Sequence, residues 1–298
     1  MPSREAPGPS QAKSIWKLGG LSAWQLARNV LSDIAANNFF GRASELAFDF
    51  LFALFPLLLF MLTLIGLFTS RRSDLQGTLL AYFADFLPPT AFALLNTTAN
   101  ELAANASGGK LTFGIVLALW LASGGMTSMI SALNLAHRVS EARSWIKVRA
   151  IALALTLLIA VFLLAALFLV LVSGRAVDWL GAEIGLAPEV VAVWKALQWP
   201  AAIVFLVVAY SLIYYCGPNL KDRRWHWITP GSAFGVLLWL AASLGLRTYL
   251  RFFNSYSTTY GSLGAVMILL LWLYVSGLSF LIGGEINAEI ERAASGPS

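Results

Sequence analysis

The stretch Arg42–Phe68, RASELAFDFLFALFPLLLFMLTLIGLF, is an apolar run long enough to cross a membrane. About 23 helical residues from Leu46 onward reach roughly 35 Å, and the hydrocarbon core of a bilayer is about 30 Å thick. Glu45 and Asp49 lie four residues apart near its start, so one helix face carries both acids. A charge in hydrocarbon costs about 2.5–3.5 kcal/mol or more unless it is paired, hydrated or neutralised. The stretch therefore predicts a membrane span with a polar site at one end.

The composition of the whole chain extends this prediction. Of 298 residues, 58% are hydrophobic and 12% are charged, whereas soluble domains have about 25% charged residues. The apolar residues fall in long blocks, which favours a polytopic membrane protein over a large soluble core. The net charge of +5 comes from basic residues near the ends of these blocks, where membrane topology explains them without a nucleic-acid partner. The single cysteine, Cys216, excludes an internal disulfide.

The apolar blocks predict six spans, so the expected fold class is all-α, a polytopic membrane helical bundle. The approximate bounds of the spans are 46–68, 111–133, 150–172, 199–216, 229–246 and 263–284. The second span is interrupted in the pattern by Ser123–Gly125. Lys and Arg residues are distributed 13 to 7 between the two sides of this topology. The positive-inside rule then predicts that both termini are cytoplasmic.

Amphipathic and polar segments flank the six-span domain, which is predicted at 43–290. Residues 1–11 are rich in Pro and Ser and predict a disordered tail, and residues 291–298 predict a cytoplasmic tail. Residues 12–42 are amphipathic, which indicates a helix lying in the cytoplasmic membrane interface or a helix packed on the protein's own cytoplasmic face. Between the first two spans, the pattern predicts short helices on the extracytoplasmic surface.

Several short segments form an ordered set of motifs along the chain. They are Glu45–Pro56 (ELAFDFLFALFP), Ala132–Asn134 (ALN), Tyr214–Asn219 (YYCGPN), Pro230–Gly231, Trp239, Tyr260–Gly264 (YGSLG), Trp272–Tyr274 (WLY) and Gly283–Asn287 (GGEIN). Together these motifs resemble the YihY/BrkB family of bacterial inner-membrane proteins. The resemblance implies six spans with both ends inside, and it implies no settled biochemical activity. A ribonuclease BN label formerly attached to the family is regarded as a misassignment.

The candidate site residues are acids and amides near the predicted cytoplasmic ends of the first, second and sixth spans. Glu285 lies inside the family's closing motif, whereas Glu45 and Asp49 occupy positions that are uncharged in much of the family. Asn134 and Asn287 are expected at the same depth. Together these side chains predict an inward-facing acidic cavity that binds a cation, a proton or a positively charged head group. The alternative is that Glu45 and Glu285 are hydrated at the interface or paired with Arg42, Lys221 or Arg223.

Small residues and one proline interrupt the spans and are assigned to packing or to hinges. They are Pro56, Gly124, Gly125, Gly231, Gly235, Gly283 and Gly284. The pair Gly231 and Gly235 forms a small-xxx-small pattern, which is typical of close helix contact within one chain or between two copies of it. A homo-oligomer is therefore one predicted assembly. The alternative role is a hinge or the lining of a cavity, because transporters bind substrates where helices are broken.

No hydrolytic motif occurs, so the protein is not expected to be an enzyme. The two histidines, His137 and His226, lie in separate loops, and no HExxH, GxSxG or phosphate-binding loop is present. No catalytic residue, metal site or cofactor is predicted, and the short basic loops do not form a ribonuclease surface. The favoured function is a transporter, exporter or lipid-handling protein whose partners are the bilayer and a lipid or small-molecule substrate. The alternative is a non-catalytic membrane scaffold or assembly factor.

Overall fold

The protein is described from a computed structural model that covers residues 15–68, 96–97, 108–167, 169, 188–220, 227–252 and 256–295. Within these residues a 3₁₀ turn at Ile15–Gly20 precedes seven long α-helices. The helices are α1 (Ala23–Ala36), α2 (Phe39–Phe68), α3 (Gly108–Ala136), α4 (Trp145–Leu167), α5 (Pro188–Cys216), α6 (Pro230–Phe252) and α7 (Tyr256–Ser295). The all-α prediction is therefore confirmed. The predicted disordered tail and the predicted short helices between the first two spans lie outside the described residues.

Five of the described helices are long and apolar enough to cross a membrane. These stretches are Val116–Ala136, Trp145–Ala166, Glu189–Cys216, Pro230–Tyr249 and Val266–Ala294. Each stretch overlaps one predicted span, from the second to the sixth. The first predicted span lies within α2, a single helix of 30 residues that contains Pro56. The count of six spans and the domain bounds remain predictions.

The predicted interruption of the second span is wrong. Helix α3 continues through Ser123–Gly125 as one element. Gly125 lies against α2, where an added Cβ would be 3.3 Å from the Cβ of Ala53. A glycine costs about 1 kcal/mol in a helix interior but leaves the backbone hydrogen bonds intact. The glycine therefore permits close helix packing without ending the helix.

The helices from α2 to α7 form a closed ring in chain order. Each helix packs on the next one, and α7 returns to pack on α2 and also contacts α3. The largest group of buried apolar side chains, including Phe39, Leu133 and Phe280, joins α2, α3 and α7. It lies at the end of the bundle where α1 and the last turns of α7 meet, which we call the terminal end. The well-packed core and the N-terminal segment are thus at the same end.

The N-terminal segment packs on α7. Helix α1 begins with a capping box, in which the Gln25 backbone N–H donates to Ser22 Oγ at 3.2 Å and the Ser22 N–H donates to Gln25 Oε1 at 2.9 Å. Val30 and Ile34 are buried in the core, whereas Trp24 is 77% exposed. One face of α1 therefore packs on the protein. Because another face exposes apolar side chains, a location in the membrane interface remains a prediction for this segment.

Helices α6 and α7 cross at a point where three glycines meet. A Cβ added to Gly283 would lie 2.5 Å from the Tyr214 hydroxyl, 2.6 Å from the Gly231 carbonyl oxygen and 3.1 Å from the Gly235 Cα. These distances leave no space for a methyl group, so the crossing requires glycine. Gly124 of α3 differs, because an added Cβ there would have no heavy atom within 4 Å.

Arg143 holds the loop between α3 and α4. Its Nε and Nη2 donate to the two carboxylate oxygens of Glu141 at 2.8 and 2.6 Å, and Nη2 also donates to the Gly217 carbonyl at 2.8 Å. The Asn134 side-chain amide donates to Glu141 at 2.8 Å and accepts from the Asn219 N–H at 2.7 Å. These bonds join the end of α3, the following loop and the loop after α5.

Protonation of Glu141 is expected to loosen this loop. The hydrogen bonds from the Arg143 guanidinium lower the pKa of Glu141 from 4.5 to about 2, although burial opposes this shift. Because the pKa is lower in the folded state, the stabilisation is complete above about pH 4.5 and is lost as the pH falls toward about 2. We expect Glu141→Gln to lower the melting temperature of the detergent-solubilised protein at neutral pH, and this difference to shrink near pH 3. A difference that does not change with pH would contradict the assignment, and Glu45→Gln is the control.

Candidate functional site

Three largely buried acids and two arginines form a group at the terminal end, which we call the ion cluster. Its members are Asp33 of α1, Arg138 after α3, and Glu285, Glu289 and Arg292 of α7. The Nη2 of Arg292 lies 2.9 Å from Asp33 Oδ2, 2.7 Å from Glu285 Oε1 and 2.6 Å from Glu289 Oε2. A single guanidinium nitrogen therefore contacts all three carboxylates.

Helix geometry places these side chains together. Helix α7 continues past the predicted end of the sixth span to Ser295, so the predicted tail at 291–298 begins within it. Glu285, Glu289 and Arg292 are spaced at i, i+4 and i+7 and share one face of this helix. Asp33 is buried on the side of α1 that packs on α7. The ion cluster thus forms where the first and last described helices meet.

Arg138 is placed by an unusual backbone conformation at the end of α3. Its φ is +55°, in the left-handed region that glycine favours. From this position its Nη2 donates to both carboxylate oxygens of Asp33 at 2.8 Å. The ion pair with Asp33 gives a physical reason for an arginine where a helix commonly ends with glycine.

The ion cluster contains three carboxyl groups and two guanidinium groups, and the side chain of Arg138 is 60% exposed. The Glu285 side chain is 0% exposed, and within the described residues its Oε2 has no hydrogen-bond partner. A buried polar atom without a partner costs about 1–3 kcal/mol, and more when it is charged. The cluster therefore has one more carboxyl group than guanidinium groups and a buried oxygen that can accept a further cation.

Two further side chains of the terminal end, those of Asn29 and His137, affect the electrostatics of the ion cluster. The Asn29 side-chain amide donates to Glu289 Oε1 at 2.6 Å. Burial lowers the pKa of His137 to about 4, and the positive charge of Arg292 contributes to the shift. The imidazole is therefore neutral near neutral pH and adds no positive charge beside the cluster.

A second polar feature is an open groove between α2 and α3, which we call the lateral groove. It has a volume of about 130 Å³. Its lining residues are Arg42, Glu45, Leu46, Thr127, Ser128, Ser131 and Ala132. Arg42 Nη1 donates to Glu45 Oε2 at 3.0 Å, and the two side chains are 42% and 59% exposed. The groove therefore offers one cation, one anion and the hydroxyl groups of Ser128 and Ser131.

Arg149 of α4 adds a second guanidinium group next to the lateral groove. Its guanidinium lies over the Trp120 ring, 4.2 Å from the ring centroid, and it donates to the Trp120 carbonyl. It also donates to Thr127 Oγ1 at 3.4 Å. The Thr127 hydroxyl itself donates to the Ser123 carbonyl at 3.0 Å, so its recorded partners are groups of the protein.

The three acids predicted from the sequence lie in different surroundings. Glu285 belongs to the ion cluster and Glu45 lines the lateral groove. Asp49 is half-buried on α2, and its carboxylate has no hydrogen bond or ion pair within the described residues. Its backbone carbonyl lies 3.7 Å from where a Cβ on Gly125 of α3 would be. A common cavity for the three acids remains a prediction.

The two predicted amides contact loops and helix starts. Asn134 bonds to Glu141 and to the backbone of Asn219, as described above. Asn287 Oδ1 accepts from the Gly231 N–H at 2.9 Å, and its Nδ2 donates to Thr229 Oγ1 at 2.9 Å. The recorded partners of both side chains are therefore groups of the protein itself.

The predicted small residues also differ in their surroundings. Gly231, Gly235 and Gly283 lie at the crossing of α6 and α7, and an added Cβ on Gly284 would lie 2.7 Å from Leu133 Cδ2. Gly125 packs on α2, whereas Gly124 faces open space. Close helix contact is therefore the observed setting of most of them.

The members of the ion cluster that were not predicted from the sequence are Asp33, Glu289, Arg138 and Arg292. Two signals for them exist in the sequence. Asp33 lies three residues after Val30 and so on the apolar face of the amphipathic segment, where an acid requires a partner. The i, i+4, i+7 spacing of ionisable residues after Gly284 marks one polar face of the last helix. Neither signal shows that Asp33 pairs with the polar face of the last helix.

The apolar helices and the buried ionisable groups define a polytopic helical membrane protein. The chain matches the sequence model of the family described as Virulence factor BrkB over residues 30–298, and it belongs to this family. The resemblance seen in its motifs is thereby confirmed. The matched region contains both the ion cluster and the lateral groove.

Two relatives cover most of the chain. A protein of Bacillus subtilis named as ribonuclease-like, YfkH, is 36% identical over 84% of this chain and 90% of its own length. A UPF0761 membrane protein of Idiomarina loihiensis is 29% identical over 76% of this chain and 75% of its own length. A UPF0761 membrane protein of Tolumonas auensis is 35% identical over 26% of each chain. No solved structure shows significant similarity to the chain.

Proposed function

We propose that the protein is a lipid-handling transporter of the bacterial inner membrane that binds a polar head group in the lateral groove. The terminal end carries the excess of basic residues, so this end is assigned to the cytoplasm and both termini with it. The groove then lies at the cytoplasmic side of the bilayer, between two helices of the membrane-crossing ring.

The chemistry of the groove supports a zwitterionic or anionic head group. The Arg42 guanidinium suits a phosphate, the Glu45 carboxylate suits an ammonium group, and the hydroxyls of the groove both donate and accept hydrogen bonds. The volume of about 130 Å³ is smaller than the roughly 300–1,000 Å³ of typical ligand pockets. The groove is therefore assigned to part of a head group, with the acyl chains outside.

The surface beside the groove supports an amphiphilic substrate. Phe48 and Phe52 lie near Glu45 on one face of α2, and they are 59% and 65% exposed. Their ring centroids are 4.7 Å apart. The exposed aromatic pair suits the acyl chains of a lipid, and the charged groove beside it suits the head group. This juxtaposition is the observation that carries the proposal.

The acids have separate roles in this proposal. Glu45 contacts the head group, and Asp49, one helical turn further along the same face, is assigned to a proton or cation that accompanies the substrate. Glu285 lies in the ion cluster and takes no part in substrate binding.

The alternative proposal is a non-catalytic scaffold or assembly factor. It is supported by the ion cluster, whose charged groups pair mainly with one another and join α1, α3 and α7. An enzyme is not proposed, and the ribonuclease-like name of the Bacillus subtilis relative refers to that protein alone.

Lipid transfer by the purified protein tests the proposal. The full chain is reconstituted into vesicles that contain a fluorescent phospholipid, and the rate at which the label changes leaflets is compared with that of protein-free vesicles. We expect the native chain to accelerate the transfer. Ser128→Leu, which fills the groove, is expected to lower the rate about tenfold, equivalent to roughly 1.4 kcal/mol. Glu45→Gln is expected to lower it by a smaller factor.

Glu189→Gln provides the matched control, because this exposed acid lies at the start of α5 away from the groove. Its transfer rate is expected to equal that of the native chain. If the native rate equals that of protein-free vesicles, the transporter proposal is rejected in favour of the scaffold. If Ser128→Leu and the native chain transfer lipid equally, transport does not use the groove.

A further inference from the structure

The ion cluster has the features of a cation site as well as those of an ion-pair network. One carboxylate oxygen from each of Asp33, Glu285 and Glu289 lies within 4.8 Å of the other two. The Oε2 of Glu285 is buried and has no partner within the described part of the chain. We propose that these three carboxylates bind a hard divalent cation of the size of Ca²⁺ in exchange for the Arg292 guanidinium.

The separation of the oxygens is compatible with an ion of the size of Ca²⁺. Ca²⁺ binds oxygen ligands at about 2.3–2.6 Å, so two ligands on opposite sides of one ion are separated by about 5 Å at most. The three oxygens already lie within this limit. Mg²⁺ demands near-ideal octahedral geometry at about 2.0–2.1 Å and gives up its water ligands reluctantly, so a buried set of carboxylates favours Ca²⁺. Because all three ligands are carboxylates, the site favours hard cations over zinc or copper.

The charge of the cluster explains why the ion exchanges with Arg292. With Arg292 in place, three carboxyl groups that are 12%, 0% and 13% exposed face two guanidinium groups that are 60% and 27% exposed. With a divalent cation in its place, Arg138 and the ion together balance the three carboxylates. A buried group without net charge avoids most of the desolvation penalty of an unpaired ion.

The side chain of Arg292 is partly exposed and can therefore leave the cluster. It is 27% exposed, whereas those of Asp33, Glu285 and Glu289 are 12%, 0% and 13% exposed. Its Nη1 also donates to the Ala136 carbonyl at 3.2 Å. Ion binding therefore releases a bond between α7 and the end of α3 while it keeps α1 attached to α7 through the shared ion. The site is separate from the lateral groove, so the inference goes beyond the proposed function.

Calorimetric titration of the full chain in detergent tests the inference. After treatment with a chelator, the protein is titrated with Ca²⁺, and separately with Mg²⁺. We expect one saturable Ca²⁺ per chain and weaker binding of Mg²⁺. Glu289→Gln and Asp33→Asn are each expected to weaken Ca²⁺ binding about tenfold or more, because each removes one charged ligand. Arg292→Met is expected to strengthen it about tenfold, because it removes the competing cation.

Glu45→Gln is the matched control, since this acid belongs to the lateral groove, and its Ca²⁺ affinity is expected to equal that of the native chain. If Arg292→Met does not yield folded protein, the two ligand variants still decide the question. The absence of saturable Ca²⁺ binding by the native chain overturns the proposal. Saturable binding that is unchanged in both Glu289→Gln and Asp33→Asn also overturns it.

Discussion

Replacing Gly283 with alanine is expected to lower the melting temperature of the detergent-solubilised protein sharply. The added methyl group would lie 2.5 Å from the Tyr214 hydroxyl and 2.6 Å from the Gly231 carbonyl oxygen. The backbone oxygen belongs to a neighbouring helix, so it cannot move away as the end of a flexible side chain can. Overpacking of this kind typically costs about 1–3 kcal/mol and sometimes more.

The same substitution is also expected to break a buried hydrogen bond. The Tyr214 hydroxyl donates to the Phe280 carbonyl at 2.7 Å, and both residues are buried. Displacement of the tyrosine would leave its buried hydroxyl without a partner, at a cost of about 1–3 kcal/mol. Because both effects arise from the same added methyl group, their costs are not additive. We therefore expect a total loss of about 1–3 kcal/mol in the free energy of unfolding.

Gly124→Ala is the control for the glycine prediction. An added Cβ at Gly124 meets no heavy atom within 4 Å, and alanine is favoured over glycine inside a helix by about 0.5–1 kcal/mol. The control is expected to melt at the same temperature as the native chain or slightly above it. Equal losses of stability in Gly124→Ala and Gly283→Ala would show that the helix crossing is not the cause.

Replacing Arg292 with methionine is expected to cause a comparable loss of stability when divalent cations are absent. The substitution leaves Asp33, Glu285 and Glu289 with Arg138 as the remaining cation of the ion cluster. Removing one partner of a buried ion pair costs about 3–5 kcal/mol, because the other charge stays buried without compensation. Thermal unfolding in detergent with a chelator measures the effect.

Arg42→Met is the matched control, because Arg42 also pairs with a glutamate but is 42% exposed. Exposed pairs contribute about 0–1 kcal/mol, so this variant is expected to melt close to the native chain. A loss in Arg292→Met no greater than that in Arg42→Met would contradict the assignment of a buried ion cluster. If added Ca²⁺ restores the stability of Arg292→Met, the restoration supports the proposed cation site. If it does not, the ion-pair prediction stands and the cation site loses its support.

Much of the fold was predictable because its signals are local. The second to sixth apolar blocks each correspond to a membrane-competent helix, since the transfer of a helix into hydrocarbon depends on the composition of about 20 consecutive residues. The family was predictable for a similar reason, because its motifs are short and ordered. The close packing of α2 against Gly125 was not predictable because it depends on the tertiary structure, whereas glycine keeps the backbone hydrogen bonds that let α3 continue.

The candidate site was predictable only in part. Glu285 was singled out as an acid at the end of a span, but Asp33 and Arg292, which surround it, are 259 residues apart in the chain. The sequence by itself determined that the protein is a helical membrane protein with acids near the ends of its spans, because polarity is a property of each segment. Only the tertiary structure decided which of these acids is enclosed with arginines and which lies in an open groove. Charge pairing depends on distance in space, and the packing of α1 on α7 sets that distance.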